Sequence, residues 1–134
     1  MTSNLSTHQD LTKILVVDDE PDMTRMLKMA LEREGFLIDT YNDPVLALEN
    51  FRPNHFDLVI LDVKMPKMDG FALYNRLRKM DHDTKICFLT ASSETYRQEL
   101  IKQNHCEIDK ELLWEMPLPI KEIIAKIRIR IGST

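Results

Sequence analysis

Two adjacent carboxylates, Asp18 and Asp19, directly follow the apolar run KILVV (13–17), and a third, Asp62, closes an apolar run within VILDVKMPKMDG (59–70). A hydroxyl, Thr90, ends another such run, KICFLT (85–90). If these four side chains met, the carboxylates would repel one another by about 4 kcal/mol per pair at ~4 Å and an effective dielectric near 20. A shared hard divalent cation removes that cost. Few protein oxygens with open positions suit Mg²⁺, and a carboxylate beside it can act as a nucleophile toward a phosphoryl donor. Taken singly the residues read otherwise: Asp18 and Asp19 as acids at a helix start, Asp62 as a solvated loop residue, Thr90 as an ordinary strand end. Only a fold that gathers them gives the set its chemistry.

The pattern of elements supplies such a fold. KILVV and Leu58 to Leu61 are continuous apolar runs typical of strands buried on both faces, as is 85–90. FLIDTY (36–41) and ELLWE (111–115) read as two further strands. Between them, Met23, Met26, Leu27, Ala30 and Leu31 recur at helical spacing over 22–34, with Gly35 as the cap. Asp43 and Pro44 start a second helix running to about Phe51. A third begins near Gly70 and ends near Lys79, a fourth covers 94–103, and Ile120, Ile123, Ile124 and Ile127 stripe the last. Strands alternating with amphipathic helices predict an α/β fold, a (βα)5 three-layer doubly wound parallel sheet of the flavodoxin-like kind. All strands then point one way, so residues at their carboxyl ends share one edge, where ligands bind. Asp18, Asp19, Asp62 and Thr90 all stand there.

The 134 residues suffice for one domain, with 1–12 expected as a flexible N-terminal segment, 13–130 as the domain and 131–134 as a tail. Apolar residues make up 43% and charged residues 30%, and the net charge of -4 gives nucleic acid no general reason to bind. No apolar run approaches the ~20 residues of a membrane span, and the first residues lack the pattern of a signal peptide, so a cytoplasmic protein is expected. Cys87 and Cys106 read as reduced thiols. His55, His82 and His105 lack metal-ligand spacing and read as solvated. Lys121, Lys126, Arg128 and Arg130 read as a solvated basic face on the last helix. Trp114 reads equally as core or as an anchor for a partner.

The segments ILVVDDEPDM, VILDVKMPKMDG and FLTASS closely resemble the receiver domains of two-component response regulators, and the resemblance covers 13 to about 130. It implies strand order 2-1-3-4-5, phosphoryl transfer to Asp62 from a histidine kinase or phosphotransfer protein, and Mg²⁺ held by Asp18, Asp19, Asp62 and the backbone carbonyl of Lys64. Thr90 would be the switch hydroxyl, and the domain a phosphoacceptor rather than an enzyme. Homodimerisation through the fourth helix, fifth strand and fifth helix is a further implication. Two positions depart from the family. Met116 stands before Pro117 where the family has a lysine, and Leu113 takes the place of the switch aromatic, with Trp114 next to it.

Lys64, two residues beyond Asp62, is a candidate modulator that could replace the absent cation; the alternative is a solvated lysine beside Lys67. A second reading of the whole chain is an atypical receiver that binds a partner without phosphorylation, which Met116 and Leu113 favour. A phosphatase or mutase would want a carboxylate where Lys64 stands. A flavin carrier would not place DDEPD against a phosphate.

Overall fold

The computed structural model describes residues 11–132; residues 1–10 and 133–134, which make up most of the expected N-terminal segment and half of the expected tail, lie outside the described residues. Five parallel strands, β1 (Lys13–Val17), β2 (Leu37–Tyr41), β3 (Leu58–Leu61), β4 (Lys85–Thr90) and β5 (Leu113–Glu115), form one sheet in the order β2-β1-β3-β4-β5. Five helices cover it: α1 (Pro21–Arg33), α2 (Pro44–Glu49), α3 (Gly70–Met80), α4 (Glu94–Gln103) and α5 (Ile120–Arg130). β1, β3 and β4 are buried along almost their whole length, which is why they carry unbroken apolar runs rather than alternating ones.

Successive residues of these strands feed opposite layers. Leu15, Val17, Val59, Leu61 and Phe88 pack with Phe71, Leu73 and Leu77 of α3. Ile14, Val16, Ile60, Cys87 and Leu89 pack with Leu27 and Leu31 of α1 and Ile123 and Ile127 of α5. Trp114 belongs to the second layer, 4% exposed. It is a core side chain and not an exposed anchor.

Local chemistry sets the helix ends. Asp43 accepts from the Val45 N–H at 2.8 Å with Pro44 in the first turn, and Asp69 accepts from the Phe71 and Ala72 N–H groups, both at 2.9 Å. Gly35 ends α1 at φ +94°, and Phe36 N–H closes back on the Leu31 carbonyl.

Two boundaries differ from the sequence reading by more than one residue. Glu111 and Leu112 lie in a single 3-10 turn, Lys110–Leu112, so β5 is only three residues long. The Glu111 carbonyl accepts from the Trp114 indole N–H at 3.0 Å and so is used outside any ladder. α2 stops at Glu49 rather than near Phe51, since Pro53 disfavours helical backbone at Arg52 and Phe51 turns into the core, 6% exposed.

Candidate functional site

The end of β1 delivers Asp18 and Asp19, and the end of β3 delivers Asp62 on the neighbouring strand, so ladder geometry alone brings them together. Each offers one carboxylate oxygen, and these atoms lie within 4.8 Å of one another. Asp18 is tied on three sides: its N–H donates to the Tyr41 carbonyl at 3.1 Å, its carbonyl accepts from Asn42 Nδ2 at 2.7 Å, and its Oδ1 accepts from the Glu20 N–H at 2.9 Å. It is not the cap of α1, a place taken by Glu20 with no side-chain bond. The Asp62 N–H donates to the Val17 carbonyl at 2.9 Å, and its Oδ1 accepts from the Val63 N–H at 2.8 Å.

Burial raises the Asp62 carboxyl to about 7, with the neighbouring Asp18 charge adding to the effect. Burial likewise raises Asp18 to about 6, against the opposing hydrogen bond from the Glu20 N–H. Burial and mutual repulsion thus favour the neutral forms of Asp62 and Asp18.

These carboxylates line a cleft of about 770 Å³ whose other walls include Lys64, Thr90, Tyr96 and Met116. A shallower depression of about 710 Å³ on α4 is lined by Glu94, Gln98, Lys102 and His105 among others and gathers no comparable chemistry. Thr90, 1% exposed, bonds Ser92 Oγ at 2.8 Å and accepts from the Ser92 N–H at 3.0 Å. Its carbonyl accepts from the Met116 N–H at 2.8 Å, which fixes Met116 at the cleft wall. Lys110 sits in the 3-10 turn and Lys121 is exposed on α5, so neither takes the place of Met116. Lys64 leans over the Tyr96 ring, Nζ 5.5 Å from its centroid, while Lys67 bonds Asp43 at 2.7 Å. Leu113, half-buried, joins the layer against α3.

The remaining expectations fall outside the cleft. Cys87 and Cys106 are free thiols, and burial pushes both upward. Among the described residues, the three aspartates form the only cluster of metal-ligating side chains, with no histidine in it. Arg128 of the basic face pairs with Glu34 at 2.7 Å.

Three features escaped the sequence reading. Asn42 fixes the Asp18 backbone and also bonds Thr24 at 3.0 Å; its only sequence signal is a polar residue before the Asp43 cap. At Gly70 an added Cβ would lie 2.1 Å from the Asp62 carbonyl oxygen, so this glycine is a site of close backbone approach as well as a helix start. Arg97 is buried between α4 and β5, with no periodicity to mark it.

Comparison with known proteins places these observations. The response regulator receiver domain family matches residues 14–108. The transcriptional regulatory protein DltR of Streptococcus agalactiae is 32% identical over 118 residues, 88% of this chain and 51% of that protein. PrrA of Mycobacterium tuberculosis, also a transcriptional regulatory protein, is 32% identical over 125 residues, 91% of this chain and 52% of its own. The chain therefore spans about half the length of these relatives. Among solved structures, the response regulator TrrA of Thermotoga maritima in complex with Mg²⁺ and BeF is 34% identical at TM-score 0.73, covering 89% of this chain and 98% of that one. The non-phosphorylated HemR receiver domain of Leptospira biflexa is 27% identical at TM-score 0.76, covering 92% and 96%. Receivers are phosphoacceptors in two-component phosphorelays rather than enzymes in the usual sense, and they bind Mg²⁺ in an acidic pocket. By sequence, sheet order and acidic cleft alike, this chain belongs to the response regulator receiver domain family.

Proposed function

We propose that Asp62 is the phosphoryl acceptor of this receiver and that Asp18, Asp19 and Asp62, with the backbone carbonyl of Lys64, hold Mg²⁺. The observation that carries this reading is the convergence of the three carboxylate oxygens within 4.8 Å, with Asp62 and Asp18 both raised by burial. An all-oxygen donor set with cleft space beside it fits a hard divalent ion that keeps waters and accepts phosphate oxygens. When bound, that ion offsets negative charge on the acceptor and on the transferring group.

In the transfer, an Asp62 carboxylate oxygen attacks the phosphorus of a phosphohistidine on a histidine kinase or phosphotransfer protein. The N–P bond breaks as the O–P bond forms, giving an acyl phosphate. The Asp62 backbone, fixed by Val17 and closely approached by Gly70, holds the attacking oxygen at the cleft floor. The Thr90 hydroxyl, at the neighbouring strand end, donates to the phosphoryl group and is the switch. Lys64 modulates the reaction as an exposed cation at the cleft wall, since Met116 contributes none. The domain works in the cytoplasm on protein partners, and the net charge of -4 favours no direct contact with nucleic acid. Among the described residues no helix is long and apolar enough to cross a membrane. The face of α4, β5 and α5 is the proposed homodimer surface.

Intact mass after incubation with Mg²⁺ and acetyl phosphate tests the acceptor. A single phosphoryl adduct that disappears in Asp62→Ala supports it. No adduct, with Mg²⁺ binding shown separately, would favour a receiver that binds its partner without phosphorylation.

A further inference from the structure

Among the described residues, Arg97 on α4 is the one buried cation, 5% exposed. A guanidinium removed from water is costly unless its donors are used. Nη1 donates to the Ser92 carbonyl at 2.5 Å and Nη2 to the Glu115 carboxylate at 2.6 Å, while Nε has no partner. The Glu115 side chain is 64% exposed, so the carboxylate could equally be solvated by water. Its partner is the group that needs the contact.

The placement of the two partners is informative. Ser92 is the residue whose Oγ and N–H engage the Thr90 hydroxyl. Glu115 faces Thr90 across the β4–β5 ladder and precedes Met116, whose N–H bonds the Thr90 carbonyl. One side chain thus ties together the two segments that flank Thr90 at the cleft. Neither Arg97 nor Glu115 lines the cleft itself.

We propose that the Arg97–Glu115 bridge is a positioning device that keeps the Thr90 hydroxyl engaged with Ser92 and couples its release to β5. The inference rests on the reading of Asp62 as phosphoryl acceptor. Either hydroxyl can donate in the Thr90–Ser92 pair, and the Thr90 hydroxyl carries one proton, so once it donates to a phosphoryl oxygen its bond to Ser92 Oγ survives only with Ser92 as the donor. The loop shift that accompanies this pulls on the Ser92 carbonyl, and the guanidinium, with Nε idle, repartitions among its acceptors. Glu115 is then freed at the surface of β5. Coupling is reciprocal: if loading the cleft weakens the bridge, weakening the bridge favours the loaded arrangement.

The test compares wild type, Glu115→Ala and Arg97→Lys for the initial rate of phosphoryl adduct formation with Mg²⁺ and acetyl phosphate, with Asp62→Ala as control. Urea denaturation and ligand-free amide exchange at Ser92 run alongside. Glu115→Ala is expected to label roughly three- to tenfold faster, with Arg97→Lys nearer wild type because a cation is retained. Ser92 exchange should rise about tenfold in Glu115→Ala without a matching loss of global stability. A merely structural bridge would slow labelling in proportion to lost stability. An unchanged or slower rate together with unchanged Ser92 exchange overturns the proposal. Absence of an adduct on wild type defeats the reading of Asp62 instead, and equal Ser92 exchange in the two ligand-free proteins would then still overturn the bridge.

Discussion

Met116 gives the cleft wall no charge at its position. Burial and the Asp18 charge raise Asp62 to about 7, and nothing at position 116 opposes them. In Met116→Lys, a cation on the same wall should lower both raised carboxyls and stabilise the metal-free protein at pH 8 by about 1 kcal/mol. Denaturation in the presence of a chelator measures this. Lys64 offers the opposite test: removing its ammonium in Lys64→Ala should slow labelling by acetyl phosphate about two- to fivefold, a modest effect because the group is exposed and held over the Tyr96 ring. Unchanged kinetics would return Lys64 to the status of a solvated lysine. Asp18, Asp19, Asp62, Thr90 and Met116 could all be located from the sequence, because each abuts an apolar strand that fixes its place along one edge. Asn42 and Arg97 could not, since their partners are a backbone carbonyl and a distant carboxylate that no local pattern announces.

At the scale of elements, the strands buried on both faces were the clearest in the sequence. β1, β3 and β4 match their predicted runs residue for residue, because burial on both sides leaves no polar positions in their interiors. The apolar pattern overextends β5, because an edge strand needs only a few pairings and the apolar Leu112 serves a helical turn equally well. The joint between β3 and α3 is closely packed at Gly70. The Gly70 N–H donates to the Val63 carbonyl at 2.8 Å, and the Asp62 carbonyl occupies the space a side chain would need. Gly70→Ala should therefore destabilise the fold by about 2–3 kcal/mol and lower the labelling rate further than stability alone explains. The comparison is with a Gly35→Ala control, where nothing lies within 4 Å and the cost is the backbone conformation alone.

For the whole molecule, the acidic cleft makes stability depend on pH in the direction opposite to most proteins. Asp62 and Asp18 have folded values near 7 and 6 against an ordinary 3.8, so between pH 4 and 7 the folded protein binds more protons than the unfolded chain. Stability from these two groups is fully present below about pH 4 and is lost as pH rises through their folded values. Asp81 works the other way: bonded by the Thr84 hydroxyl, it is lowered to about 2, and its contribution is present at pH 4 and lost only in stronger acid. The two trends leave a maximum near pH 4 in the metal-free protein. From there to pH 8 the loss should reach roughly 2 kcal/mol, allowing for solvent that enters the cleft. Mg²⁺ favours the charged carboxylates, so a few millimolar should erase most of the slope and raise stability more at pH 8 than at pH 5. Asp62→Asn removes the group that titrates highest; it should flatten the metal-free curve and reduce the gain from Mg²⁺. Urea midpoints at pH 5 and 8, each with chelator and with Mg²⁺, measure all of these terms. A metal-free protein that gains stability from pH 5 to 8 would contradict the carboxylate cluster as its dominant electrostatic feature.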